Sequence, residues 1–202
     1  FTALVLVFFY PVILSGKIPL PADTIVGMYH PWRDVVWDGL ISGVPYKNPL
    51  ITDPVRQQYI WRKLAIDSLK SGNLPLWNPY SFSGTPLLAN FQTAAFYPMN
   101  LLYFILPFNL SWTVQVMLQP MLAGIFMYLY LRFIKLSKFS SFLGGLTFAF
   151  CGFSISWLEW NTIGHTILWL PLALLAVEKI AAEFKSFVSL KLLKWEGILI
   201  FG

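Results

Sequence analysis

The stretch LSWTVQVMLQPMLAGIFMYLYLRFI, residues 110–134, decides the fold, because it is long, apolar and carries a single charged residue, Arg132. A bilayer core about 30 Å thick is crossed by about 20 predominantly apolar helical residues, so this stretch can span a membrane. Residues 139–158 and 163–182 have similar length and composition, and residues 1–16 are predicted to be the end of a further span. The sequence therefore predicts an all-α, polytopic transmembrane helix bundle.

The composition of the whole chain agrees with this prediction. Of its 202 residues, 57% are hydrophobic and only 11% are charged, whereas an average soluble domain has roughly 25% charged residues. Aromatic residues make up 18%, including nine Trp, and such side chains are enriched where a bilayer meets water. This composition excludes an ordinary soluble globular domain.

The net charge of +5 indicates membrane topology rather than nucleic-acid binding, because many Lys and Arg residues stand at the ends of apolar segments. No intrachain disulfide is possible, since Cys151 is the only cysteine. The chain begins with Phe1, and residues 195–202 start another apolar run. We therefore expect it to be the N-terminal part of a longer, multi-pass membrane protein.

The orientation follows from positive charges, which favour the cytoplasmic side of short connections. Arg132, Lys135 and Lys138 lie between two predicted spans. This connection is predicted to be cytoplasmic, which makes residues 17–98 an extracytoplasmic loop. Residues 183–202 are then a cytoplasmic segment and the start of another span.

Within the predicted loop, Asp53-Pro54 is typical of a helix start, because Asp caps free N–H groups and Pro is tolerated in a first turn. Gly72 is a natural helix stop. The resulting helix is expected to lie against the membrane surface. Its partly buried side is predicted to contain Tyr59, Ile60, Leu64 and Ile66, and its water- or headgroup-facing side Arg56, Arg62, Lys63 and Lys70.

Three other segments of the chain have local signals. Residues 31–42 are predicted to form a shorter helix. Residues 74–80 contain two prolines and an Asn-Pro turn signal, so they are predicted to be an ordered, non-helical loop. Residues 99–108 are too short to span the membrane and are flanked by prolines, which indicates a partial or interfacial helix.

The predicted loop contains a set of distinctive motifs. They are Asp53-Pro54 with Gln57 and Trp61, Gly72-Asn73-Leu74-Pro75-Leu76-Trp77-Asn78-Pro79-Tyr80, Gly84-Thr85-Pro86-Leu87-Leu88-Ala89-Asn90, Gln92, and Phe96-Tyr97-Pro98. Together these motifs resemble the YfhO family of bacterial membrane proteins. The resemblance covers residues 23–100 closely and the following spans loosely.

The resemblance implies a GT-C-like fold in which a sugar is moved from a polyprenyl-phosphate donor to an envelope glycan or lipid acceptor on the outer face. It also implies an acidic residue in the first outer loop that serves as catalytic base or as ligand of a divalent metal ion. Asp23 is the candidate closest to the first span, and Asp53 is the second. The alternatives are an ordinary turn or cap residue for Asp23 and a helix cap for Asp53.

Further candidates for substrate binding have structural alternatives of similar weight. Gln57 pairs with Asp53 or is a helix-surface amide, and Arg56 and Arg62 meet a lipid phosphate or anchor the helix at the interface. Trp77 and Asn78 form either a platform for a sugar or an architectural plug. Asn90 and Gln92 either contact the sugar or belong to a closely packed run. His165 either faces the cavity or is a neutral interfacial His.

The resulting hypothesis is a membrane glycosyltransferase whose partners are the lipid-linked sugar donor, the envelope acceptor and membrane lipids, with no nucleic acid. A transporter or flippase of lipid-linked glycan is the main alternative. It predicts ionisable residues at mid-membrane depth. A noncatalytic membrane scaffold is a third possibility, and it would tolerate loss of every loop carboxylate.

Overall fold

A computed structural model describes residues 1–36 and 51–183. Within these residues the chain is mostly helical. The α-helices, in chain order, are α1 (Thr2–Phe8), α2 (Tyr10–Ser15), α3 (Asp23–Met28), α4 (Tyr59–Lys70), α5 (Leu102–Ile105), α6 (Phe108–Phe133), α7 (Lys138–Ala149), α8 (Gly152–Ser156), α9 (Ile163–Ile167) and α10 (Leu170–Glu183). One two-stranded antiparallel ladder pairs β1 (Trp77–Asn78) with β2 (Thr85–Pro86).

The chain divides into two compact units. The apolar unit contains residues 1–17, 115–158 and those from 163 onward, and the loop unit contains residues 18–114 and 159–162. Among residues 1–36 and 51–183, three helical segments are long and apolar enough to cross a membrane: Phe108–Phe133, Lys138–Ser156 and Ile163–Ala182. They coincide with the three long apolar segments predicted from the sequence. The described part of the chain is therefore mostly helical and contains three candidate membrane spans.

Two of the three candidate spans are interrupted, which the sequence did not predict. The backbone leaves the helix at Phe150 and Cys151, between α7 and α8, and again at Leu168 and Trp169, between α9 and α10. At the first break, the Ser154 hydroxyl donates to the Phe148 carbonyl over 3.0 Å. A side-chain hydroxyl therefore satisfies a backbone acceptor that a continuous helix would have paired.

The turn between α8 and α9 depends on a contact with Gln119 of α6. The Gln119 amide donates to the Leu158 carbonyl over 3.1 Å. A Cβ atom at Gly164 would lie 1.8 Å from the Gln119 Oε1. Glycine is therefore required at position 164 if the buried Gln119 amide is to keep this hydrogen bond.

In the loop unit, the helix predicted over residues 53–70 is present. It opens with a π-helical turn, Pro54–Gln58, and continues as α4. After Ser71 the chain turns at Gly72, with φ +76°. The Gly72 N–H donates to Leu69 and the Asn73 N–H donates to Ser68, both over 3.0 Å. This is the Schellman arrangement, so the prediction that Gly72 ends the helix is confirmed.

The other predicted loop elements have mixed outcomes. Residues 74–80 are non-helical, as predicted, and include strand β1. The short helix expected at residues 99–108 appears as a 3₁₀ turn, Pro98–Leu101, followed by α5. Of the shorter helix predicted at residues 31–42, the described residues 31–36 contain a 3₁₀ turn, Trp32–Asp34, and residues 37–42 lie outside the described residues. So do residues 184–202, for which a further span was expected.

Candidate functional site

Asp23 is the first residue of α3, and its side chain is exposed. The next residue, Thr24, is buried, and its hydroxyl donates to the Pro21 carbonyl over 2.8 Å. This bond fixes the turn that leads into α3. The structure therefore places Asp23 at the surface of an anchored turn.

Asp53 does not cap its helix, so the predicted structural role is wrong. Its backbone is already helical, with φ −61° and ψ −40°, and its side chain makes no capping hydrogen bond. A capping residue must have an extended backbone for its carboxylate to reach back to the first N–H groups. Asp53 and Gln57 are half-buried and Arg56 is exposed. These residues lie in or beside the π turn, a feature that is frequent at functional sites.

Arg62 does not face water or headgroups, so this part of the prediction is wrong. Its side chain is only 2% exposed. The buried residues of α4 are Arg62, Ala65 and Ile66. With Gln58 of the preceding π turn, they follow the i, i+4, i+7, i+8 spacing of one helical face. Ile60, which was predicted on the buried side, is 49% exposed because it lies off this face.

Arg62 is the centre of a buried polar cluster in the loop unit. Its guanidinium donates to the Asn161 carbonyl over 3.2 Å and hydrogen-bonds the Tyr103 side chain. The guanidinium carbon also lies 5.9 Å from the centroid of the Trp112 ring. Both Tyr103 and Trp112 are fully buried, with 0% exposure. The cluster joins α4 to the turn at residues 159–162.

Burial controls the pKa values in this cluster. It lowers the pKa of Arg62, and the neighbouring Tyr103 opposes that shift. Burial also raises the pKa of Tyr103 to about 12, although Arg62 acts in the other direction. Both side chains are fixed by packing and hydrogen bonds inside the unit. Arg62 therefore has a structural role and is removed from the set of lipid-phosphate ligands.

Gln58, which the sequence did not single out, connects α4 to the loop at Gln92. The Gln58 Nε2 donates to the Gln92 Oε1 over 3.1 Å. Gln58 is 3% exposed, whereas Gln92 is exposed at the surface. One end of this pair therefore reaches solvent. The signal that would have indicated its burial is the eight-residue spacing from Gln58 to Ile66, which was predicted on the buried side of the helix.

Trp77 and Asn78 have different roles in the structure. Asn78 is 2% exposed, donates to the Ser81 hydroxyl over 2.9 Å, and accepts from the Tyr80 N–H over 3.0 Å. Its amide is thus used to build the turn. Trp77 is 55% exposed, and its indole lies against Gly84, where a Cβ would approach the Nε1 to 2.3 Å. Of the two, only Trp77 offers a surface to a ligand.

Asn90 and His165 also have defined structural positions. The Asn90 Oδ1 accepts from the Gln92 N–H over 3.2 Å and caps the 3₁₀ turn Phe91–Thr93. His165 is 5% exposed in α9 and belongs to the apolar unit. It is more buried than the partly buried side chain expected from the sequence.

A divalent metal ion was a candidate cofactor. Among residues 1–36 and 51–183, no three His, Cys, Asp or Glu side chains are grouped so that they could hold a metal ion. The requirement for a divalent metal ion stays a prediction.

Comparison with known proteins gives no relative. No family model matches the chain, and neither a curated protein nor a solved structure matches it. The function is therefore inferred from the residues of the chain.

Proposed function

We propose that the protein is a GT-C-type membrane glycosyltransferase that moves a sugar from a polyprenyl-phosphate donor to an envelope glycan or lipid on the outer face of the cytoplasmic membrane. The observation that supports this proposal most directly is the exposed position of Asp23. It stands eight residues after Ser15, where the first apolar helical segment ends. The resemblance of the loop motifs to the YfhO family supports the same assignment.

In the proposed reaction, the acceptor hydroxyl oxygen attacks the anomeric carbon of the donor sugar. Asp23 takes the hydroxyl proton as the new carbon–oxygen bond forms. The bond between the anomeric carbon and the phosphate oxygen breaks, and its electron pair leaves with the polyprenyl phosphate. General-base catalysis of this kind contributes roughly 100- to 10,000-fold in rate.

Two further side chains are proposed to bind the substrates. Exposed Arg56 is suited to the donor phosphate, because a guanidinium pairs with phosphate oxygens through two parallel hydrogen bonds. Exposed Trp77 offers an aromatic face to a sugar, and its contact with Gly84 holds the indole in place. Asp53 is the alternative base, since it is half-buried beside the π turn and makes no capping bond.

The proposal is tested with membranes that contain the protein and radiolabelled polyprenyl-phosphate sugars. Transfer of label to envelope polymer supports a glycosyltransferase. Movement of labelled lipid between leaflets without transfer would indicate the transporter or flippase alternative. Membranes from cells that lack the protein provide the background.

The proposed site also requires the loop to lie outside the cytoplasm. A single thiol at Asn73, which is exposed after the end of α4, tests this on a Cys151→Ser background. We expect an impermeant reagent to label it in intact cells. Labelling only after permeabilisation would contradict the proposed orientation.

A further inference from the structure

The first residues of the candidate span Phe108–Phe133, up to Val114, belong to the loop unit and contact α5 within it. Only Leu106 and Pro107 separate α5 from α6. The Ser111 hydroxyl in the first turns of α6 donates to the Leu102 carbonyl over 3.0 Å. The Tyr103 and Phe108 rings lie with their centroids 4.6 Å apart. The position of α5 relative to the start of α6 is therefore fixed.

The length of α6 sets the depth in a bilayer of the junction between α5 and α6. The helix has 26 residues, which is about 39 Å at about 1.5 Å per residue, whereas the hydrocarbon core needs about 20 residues. If Arg132 in the last turn lies in one headgroup layer, the other boundary of the hydrocarbon core lies about 20 residues earlier in the helix, near Trp112. Residues 108–111 then lie in the opposite headgroup layer. The connection from Ile105 to Phe108 spans about 11 Å at most. The hydrogen bond from Ser111 also holds Leu102 beside the first turns of α6, so α5 lies in that layer as well.

The side chains at this junction suit a headgroup layer. Leu101, Phe104 and Ile105 are 67%, 49% and 78% exposed. Exposed apolar side chains this close together indicate contact with lipid or protein. Their covalent continuity with a candidate span favours lipid.

Two lysines of α4 lie over aromatic rings at the same junction. The Lys63 Nζ is 5.5 Å from the centroid of Phe108, and the Lys70 Nζ is 5.9 Å from that of Phe104. These rings fix the ammonium groups at the depth of the junction, where lipid phosphates lie. Lys63 also binds Asp67, over 2.6 Å, so its charge is partly compensated.

We infer that Lys63, Lys70, Leu101, Phe104 and Ile105 form a binding surface for the headgroups of anionic phospholipids. The apolar side chains enter the boundary of the acyl region, and the ammonium groups pair with lipid phosphates. This inference does not depend on the proposed glycosyltransferase activity. It places α5, and the side of α4 that carries Lys63 and Lys70, in contact with the bilayer. Lys70 contributes more than Lys63, because Asp67 shares the Lys63 charge.

The depth of the junction is tested with the full chain in nanodiscs of phosphatidylcholine and phosphatidylglycerol, one chain per disc. A spin label is attached at Ile105→Cys on the Cys151→Ser background, and its collisions with oxygen and with an aqueous nickel complex are measured. We expect high oxygen and low nickel accessibility, with the reverse for a matched label at Asn73→Cys. Equal nickel accessibility at both positions, or a label at 105 that neither reagent reaches, would overturn the inference.

The role of the lysines is tested by titrating the detergent-solubilised full chain with short-chain phosphatidylglycerol and following the complexes by native mass spectrometry. Lys70→Gln is expected to weaken the apparent Kd by about fivefold, the value for one cation at an anionic surface, and Lys63→Gln by less. Arg33→Gln, an exposed loop cation that contacts Asp34, is the matched control and should leave the Kd unchanged. An unchanged Kd in Lys70→Gln, with circular dichroism confirming that the variant is folded, would overturn the assignment.

Discussion

In the loop unit, buried polar side chains hold the irregular backbone, whereas in the apolar unit closely packed glycines bring helices together. The Asn100 amide of the loop unit donates to the carbonyls of Ala94 and Ala95 over 2.5 and 3.2 Å. In the apolar unit, a Cβ at Gly145 would lie 2.7 Å from the Gly124 carbonyl oxygen. The loop unit should therefore be sensitive to the removal of side-chain atoms, and the apolar unit to their addition.

This difference follows from what surrounds the backbone. A loop that is not helical leaves N–H and C=O groups that need partners, and each buried group without one costs about 1–3 kcal/mol. Helices that pack in a membrane already pair their backbone internally. Their association depends on close contact, which small residues allow. Four predictions test this comparison between the two units.

The largest effect is expected for catalysis, at Asp23. Asp23→Asn keeps the shape of the side chain but removes the proton acceptor, so sugar transfer should fall by about 100- to 10,000-fold. Folding should be unchanged, because the side chain is exposed. The initial rate of label transfer measures the loss, and Asp67→Asn, another exposed loop carboxylate, is the control.

The variant Asp53→Asn tests Asp53, the second candidate for the catalytic base, in the same assay. A smaller loss than for Asp23→Asn is expected. A larger loss at Asp53 would reverse the assignment of the base. Full activity of both variants would exclude the two carboxylates from catalysis.

The second prediction concerns Arg62, the centre of the buried polar cluster. Arg62→Met retains much of the side-chain volume but leaves the Asn161 carbonyl and the Tyr103 hydroxyl without the guanidinium. Unfolding by sodium dodecyl sulfate in detergent micelles should show a loss of about 3 kcal/mol. Arg56→Met, at an exposed position of the same helix, should change stability by less than about 0.5 kcal/mol. Equal stability of the two variants would contradict the role of the cluster.

The third prediction concerns alkaline pH. The pKa of Tyr103 is raised from 10.0 to about 12 in the folded protein. Below pH 10 the phenol is protonated in both states and its contribution to stability is complete. Between pH 10 and 12 only the unfolded state releases the proton, so stability falls as the pH rises, by on the order of 2 kcal/mol.

Thermal unfolding followed by circular dichroism between pH 9 and 12 measures this loss. Tyr103→Phe should reduce the dependence on pH. Tyr80→Phe should not, because Tyr80 is 81% exposed. Identical pH profiles for the two variants and the wild type would argue against a buried, neutral Tyr103.

The smallest effect is expected from adding one methyl group to the apolar unit. Gly145→Ala should gain about 1 kcal/mol in helix propensity but lose more, because the new Cβ meets a backbone carbonyl that has little room to move. A net loss of about 1–2 kcal/mol is expected. Gly152→Ala is the matched control, since nothing lies within 4 Å of its Cβ position. If both substitutions are neutral, glycine packing does not distinguish the apolar unit.

The sequence predicted those features of the fold that depend on local signals. Gly72 ends the helix because a left-handed residue after Ser71 completes the Schellman bonds, and only neighbouring residues are involved. The three apolar segments were found because length and composition alone identify a candidate span. The breaks at Phe150 and Leu168 were missed, because hydropathy carries no information about backbone hydrogen bonds.

The candidate site was less predictable, because burial depends on partners distant in the chain. Arg62 was expected at a surface because it is charged, yet Trp112, Tyr103 and Asn161 enclose it. Asn78 was considered for sugar binding because of its amide, which in fact bonds Ser81 and Tyr80. The roles of Asp23 and Trp77 stay predictions, since exposure makes them accessible to a ligand but identifies no ligand.

The hydrogen bond from Arg62 to the Asn161 carbonyl has a consequence for biosynthesis. The two residues are 99 positions apart in the chain. At a translation rate of about 5–20 residues per second, Arg62 is made roughly 5–20 seconds before Asn161. During that time the guanidinium lacks this acceptor, and the loop unit is incomplete even though α4 has already been synthesised. A ribosome that pauses before residue 161 would prolong this state and extend the exposure of the nascent loop to proteases and chaperones.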